Sequence, residues 1–309
     1  MVVAAIWWLL TTAHIRVTPF GEVDADCIIE VPHGTHVDED VDGLVLSHPN
    51  RGKWHEQTPQ KCQQPARDAK KVTCDSLPCN NWIDNAGWQM APGTTSIGGF
   101  SSVYSTPETP TDRGPGQTLF FFIGAENTDG QPRHGQPPPS GRAILQPVLT
   151  FDPDGWCKAS STGWCFSSWY CCPKNVTVHS PYINDVKPHE SFAAWFNLTE
   201  HGDAFEVTGK SLSTGKATTL LAPRQGRKFN WADVTLEVYA INSCSLFSPS
   251  TATFAELKLW DMHYQPLTPS WTLSGPSPCA GSVSADPEPH AAVHISHGTF
   301  LSHGSEIYA

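Results

Sequence analysis

The sequence predicts an all-β fold: an antiparallel two-sheet β-sandwich carrying a disulfide-stapled N-terminal cap. Three observations lead there. Short runs of β-branched and aromatic residues recur between clusters of turn residues. The 309 residues include 24 Gly and 27 Pro, enough breakers to interrupt most long helices. Ten cysteines, an even number without the repeated spacing of a zinc site, point to disulfides and an oxidising compartment.

In chain order, Val2–Leu10 is an apolar run of signal-peptide length, and Thr11-Thr12-Ala13 after it is a small-residue cleavage pattern. Residues 1–25 therefore read as a signal-peptide region. The run is too short to span a bilayer, and no later segment is apolar enough to do so. A secreted protein is expected. Residues 26–80 read as the cap: they hold Cys27, Cys62, Cys74 and Cys79, an acidic stretch Asp38–Asp42 and basic Arg67, Lys70 and Lys71. Leu44-Val45-Leu46 is the one clear alternation there, a short hairpin.

Residues 81–289 read as the sandwich. Strands are expected at Ile97–Tyr104, Thr118–Ile123, Ala143–Phe151, Ser191–Asn197, Phe205–Lys210, Lys216–Leu221, Val234–Ile241 and Thr253–Trp260. The Pro-rich Gln131–Gly141 is a surface loop. Cys244 and Cys279 flank the last core strands and are expected to pair. Residues 290–309 form a tail with His290, His294, His297 and His303, in which Val293 and Ile295 alternate with His294. That pattern reads as a last strand with outward histidines, so no metal site is expected.

Composition excludes several function classes. A net charge of −11 disfavours nucleic acid as a partner, because an acidic surface repels phosphate. The 39% hydrophobic fraction suffices for a sizeable core. Neither a GxSxG elbow nor an HExxH helix is present. The sequons at Asn175 and Asn197 fit glycosylation in a secretory pathway.

Two strands carry an odd residue. Gln146 shares a face with Ile144 and Val148, and Glu237 is bracketed by Leu236 and Val238. A buried unpaired amide costs ~1–3 kcal/mol. A carboxyl in such surroundings has a raised pKa, which suits a general acid. On spacing alone, edge positions or satisfied cross-strand contacts account for both residues. Trp169 and Trp231 are candidate substrate walls, although tryptophans are more often core. Arg224 and Arg227 form a basic patch that is usually solvated, with substrate-oxygen binding as the alternative.

The run Ala143-Ile144-Leu145-Gln146 resembles the catalytic-glutamine strand of the fungal glutamic peptidases (eqolisins). Asp84–Trp88 and Phe100–Val103 are similar to that family's first strands. Leu236-Glu237 and Phe254–Leu259 are similar to its catalytic-glutamate strand and neighbour. The resemblance spans roughly residues 84–262 and implies a glutamic peptidase-like sandwich, with Gln146 and Glu237 as the catalytic dyad. Pro147 and Val238 depart from the eqolisin pattern. The closer resemblance is to fungal secreted proteins with an ILQPVL motif, here Ile144–Leu149. Plant neprosin-like peptidases are more distant and use two glutamates where this chain has Gln146. Within the ILQPVL set the chain resembles the hetero-Diels–Alderases of tropolonic sesquiterpene pathways.

That resemblance implies dehydration of a hydroxylated tropolone or similar polyketide to an o-quinone methide, then addition to a terpene alkene. Glu237 would be the acid and Gln146 the donor to the ring oxygen, with no cofactor. The expected partners are small apolar polyketide and terpene molecules. The alternatives are a glutamic-type acid endopeptidase and a carbohydrate-binding sandwich.

Overall fold

The structure, a computed structural model, describes residues 15–63, 76–91, 93–128, 143–287 and 291–297. The signal-like run Val2–Leu10, the cleavage pattern, the basic cluster at 67–71, Cys74, the Pro-rich loop, His290 and His303 lie outside the described residues.

Strands follow one another almost without interruption. β1 (Ile15–Thr18) and β2 (Gly21–Asp24) open the chain, followed by β3 (Ile28–Glu30), β4 (Thr35–Glu39), β5 (Gly43–His48) and β6 (Gly52–Gln57). The body runs through β7 (Cys79–Gln89), β8 (Ile97–Ser105), β9 (Thr118–Glu126), β10 (Ile144–Phe151), β11 (Trp164–Cys171) and β12 (Thr177–His179). It continues with β13 (Ser191–Leu198), β14 (Ala204–Ser211), β15 (Ala217–Pro223), β16 (Trp231–Ile241) and β17 (Ala252–Asp261). Four short strands end it: β18 (Pro266–Leu267), β19 (Thr272–Leu273), β20 (Ser282–Ala285) and β21 (Val293–Ser296). Helical structure among the described residues is limited to 3₁₀ turns, and no helix there is long and apolar enough to cross a membrane.

Two sheets pack face to face, which is the sandwich the sequence predicts. One has eight strands in the order β19-β7-β16-β9-β10-β11-β12-β3. The other has eleven, ordered β20-β21-β17-β8-β13-β14-β15-β4-β5-β6, with β18 paired to β17. Alternation decides which side chains meet between them. In β9, Leu119, Phe121, Ile123 and Ala125 face the other sheet, while Phe120 and Phe122 face away. Phe166 stacks on Phe192 across the core, with centroids 4.6 Å apart. Gly209 makes room for that pair, since an added Cβ would lie 1.9 Å from the Phe166 ring. Tyr104 donates across the sheets to the Pro147 carbonyl at 2.6 Å.

The cysteine-bearing N-terminal segment is stapled by Cys27–Cys62. Its strands β3 and β4 extend the edges of the two sheets. β3 pairs in parallel with β12, and β4 with β15, so each completes a ladder edge that would otherwise be open. Cys157–Cys165, Cys171–Cys172 and Cys244–Cys279 are also bridged. In the tail, His294 faces Asp286, but His297 departs from the outward pattern. It is buried 2.8 Å from Asp84 and stacked on Phe247, because it falls on the same side as buried Val293 and Ile295 and the Asp84 carboxyl meets it there.

Candidate active site

The eight-stranded sheet has a second face, turned away from the core, and it too is buried. β10 puts Gln146, Val148 and Thr150 there, and β16 puts Trp231, Asp233, Thr235, Glu237 and Tyr239 there. Phe120, Phe122, Val148, Trp169 and Tyr239 form an apolar cluster on this face. Trp82, Trp156 and Tyr182 pack against its margins.

Register decides which polar groups are neighbours. Asp233 pairs with Gly124 of β9 on one side and Gly87 of β7 on the other. Gln146 falls level with Gly124, one residue past the pair Leu145–Ala125, and opposite Trp169. Asp233 and Gln146 thus share one row, two strand spacings or ~10 Å apart in backbone, with a glycine between them. A Cβ on Gly124 would meet Asp233 Oδ1 at 2.6 Å. The β9–β10 ladder lapses at Gln146 and Pro147, where proline has no N–H to give.

Glu237 lies in a different row, level with Trp82 and Phe120. It is four residues further along β16, ~13 Å from the Gln146 row. The sheet therefore brings Gln146 together with Asp233, and not with Glu237. The strand read from the sequence began at Val234, which left Asp233 outside it. The signal that could have found it is the alternation Asp233-Thr235-Glu237-Tyr239 within one strand.

Burial sets the protonation of both acids. Burial raises the Asp233 carboxyl well above the ordinary carboxylate range, and the nearby Glu126 charge adds to the effect. A 2.5 Å hydrogen bond from Thr235 opposes this. Glu237 is pushed up to about 8, again chiefly by burial, against stabilising hydrogen bonds from Tyr239 and Trp82. Glu237 is therefore mostly protonated near pH 7, and Asp233 is shifted in the same direction. His179, opposite Trp169, is lowered to about 4 by burial and is a neutral imidazole.

Several polar atoms on this face are buried without a hydrogen-bond partner: Asp233 Oδ1, Gln146 Oε1, Glu237 Oε2, Thr150 Oγ1 and Trp169 Nε1. Such atoms cost free energy unless a ligand or water meets them, and five of the twelve found among the described residues share this face, which makes it the candidate site. Among the described residues no cluster of His, Cys, Asp and Glu is arranged to hold a metal ion. Two open grooves flank the face. One of about 370 Å³ is lined by His33, Tyr182, Asp185 and Lys216, and one of about 240 Å³ by Trp82, Asn85 and Thr272.

The other expected residues divide between site and scaffold. Trp169 lies beside Gln146 and is fully buried. Trp231 lies on the same face over Gly87, where an added Cβ would collide with its ring at 2.1 Å. Arg224 and Arg227 are elsewhere. Arg227 pairs with Glu39 at 2.7 Å and donates to the Tyr170 hydroxyl, because the loop after β15 runs beside β4. Arg224 reaches the Gly202 carbonyl. Asn175 sits in a 3₁₀ turn, half-buried, and Asn197 lies in β13 with its Oδ1 buried.

No family model matches the chain, and no curated protein does. Among solved structures, the chain is similar to scytalido-glutamic peptidase bound to a transition state analog inhibitor. That match has 12% identity and a TM-score of 0.48, and covers 71% of this chain and 98% of that one. It is also similar to SCP-B, a member of the eqolisin family of peptidases, in complex with the tripeptide Ala-Ile-His. There the identity is 12% and the TM-score 0.44, with the same coverage of 71% and 98%.

Proposed function

We propose that the chain is a cofactor-independent enzyme of the secretory pathway that works by general-acid catalysis on this outer face. The observation that carries the reading is the row Asp233–Gly124–Gln146: a buried carboxyl and a carboxamide level with each other, each with an unpartnered oxygen. The walls are aromatic, which suits small apolar substrates. On a hydroxylated tropolone or related polyketide, the Asp233 carboxyl would protonate the departing hydroxyl, which leaves as water. The ring hydroxyl would return its proton to the carboxylate, leaving an o-quinone methide. Gln146 would donate its amide hydrogen to the ring oxygen as charge develops there. The aromatic walls would then hold a terpene alkene against the diene, where proximity alone supplies about 7–11 kcal/mol. Glu237, with Tyr239, is a second proton-holding pair further along the same strand.

The test incubates wild type, Asp233→Asn and Gln146→Ala with a hydroxylated tropolone and humulene. Wild type should form the adduct, and each variant should lose about 10²–10³-fold in rate. Adduct formation at equal rates in all three would remove the row from the chemistry.

A second reading, an acid endopeptidase, is favoured by one contact. Gln146 Nε2 donates 2.8 Å to a main-chain carbonyl, that of Pro19 in the β1–β2 turn, so the face accepts a polypeptide carbonyl. It predicts cleavage of unfolded protein at acid pH that disappears in Asp233→Asn.

A further inference from the structure

The hairpin of β1 and β2 meets the outer face without joining it. Its strands pair only with each other, and no backbone ladder connects it to either sheet among the described residues. Two side chains of the face hold it instead. Gln146 donates to the Pro19 carbonyl at 2.8 Å, and Trp156 donates its indole N–H to the Val17 carbonyl at 2.6 Å. Val17 packs on the aromatic cluster, Arg16 lies over the Trp156 ring at 5.5 Å, and Thr18 is fully buried. The tip is closed by Thr18 donating to the Gly21 carbonyl at 2.8 Å, with Gly21 at a φ of +130°.

The base of the hairpin is anchored separately. Cys27, three residues after β2 ends, is bonded to Cys62, and Lys61 bridges Asp24 at 2.8 Å and Asp26. The element is thus a short arm anchored at Asp24–Cys27 and held on the face by two hydrogen bonds, the packing of Val17 and the Arg16–Trp156 contact.

We propose that this hairpin is a strap that takes the place of the substrate oxygen at Gln146, and that it swings off the face before substrate binds. The inference rests on the outer face being the reaction site. A strap of this kind lowers apparent affinity by the fraction of molecules in which it is open. Loosening it should therefore tighten binding without adding any contact to the ligand.

The test uses the full chain, with tropolone as the probe. Trp156→Phe removes one hydrogen bond to the hairpin but keeps an aromatic ring. Val17→Asp, an independent variant, sets a carboxylate against the apolar cluster. Hydrogen exchange should speed up at residues 15–24 by about five- to tenfold in Trp156→Phe, as the loss of one hydrogen bond implies, and by more in Val17→Asp. β9, β10 and β16 should keep their protection. In each variant tropolone should bind more tightly, by about the same factor as the gain in exchange.

Two results would overturn the strap. One is faster hairpin exchange with no gain in tropolone affinity, which would mean the hairpin is not in the ligand's way. The other is sheet strands loosening in step with the hairpin, which would make it part of the folded core. Tighter binding in both variants, with no adduct and no proteolysis, would support the strap while removing the chemistry proposed for the face.

Discussion

A carboxyl group serves as a proton donor at neutral pH only where ionisation is costly, and on the outer face burial makes it so. Glu237 holds its proton until about pH 8, against an ordinary value of 4.5. Its folded value lies above its unfolded one. The stability it contributes is therefore fully present below pH 4.5 and is lost as pH rises through about 8. Glu237→Gln should flatten that alkaline loss, by on the order of a few kcal/mol, in urea midpoints followed from about pH 4 to pH 9. A variant that declines with the same slope as wild type would mean that Glu237 is ionised in the fold. Gln146 and Glu237 stood out in the sequence through the strands that resemble a known family, since spacing alone fits edge positions equally well, whereas both are buried in the fold. Which acid faces Gln146 was not legible, because it depends on the pairing of β9 with two strands distant in sequence.

At the scale of the element, β10 is the strand on which fold and site meet. Its inner residues Leu145, Leu149 and Phe151 enter the core, while its outer residues carry Gln146. Pro147 sits mid-strand, where a proline usually argues against a central position. It is accommodated because its carbonyl still has a partner in Tyr104, from the other sheet. Tyr104→Phe should strand that carbonyl and cost ~1–3 kcal/mol. The midpoint of denaturant unfolding should fall while its slope stays constant, and an unchanged midpoint would show that the contact contributes nothing. The eight strands read from the sequence are all present, as β8, β9, β10, β13, β14, β15, β16 and β17. They were visible because aromatic and β-branched runs lie between turn clusters. β11 was not, since Cys165, Ser167 and Ser168 lack that character although every one of its residues is buried. The hairpin β1–β2 was hidden within a segment that reads as a signal region.

For the whole molecule, the N-terminal segment matters more than its composition suggests. It extends both sheets at their edges through β3 and β4, and its first hairpin covers the face that carries the acids. Disulfides fix the chain at intervals, including Cys27–Cys62 at the base of that hairpin and Cys244–Cys279 after β16. The result is a sandwich with one element held by few contacts, placed over the face that carries the unpartnered oxygens of Asp233, Gln146 and Glu237. The most direct test of that face as the reaction site is a crystal structure of the full chain with tropolone bound. Tropolone should sit between Asp233 and Gln146, with an oxygen accepting from Gln146 Nε2 where the Pro19 carbonyl now accepts. Tropolone in either flanking groove, with Pro19 still on Gln146, would contradict the account.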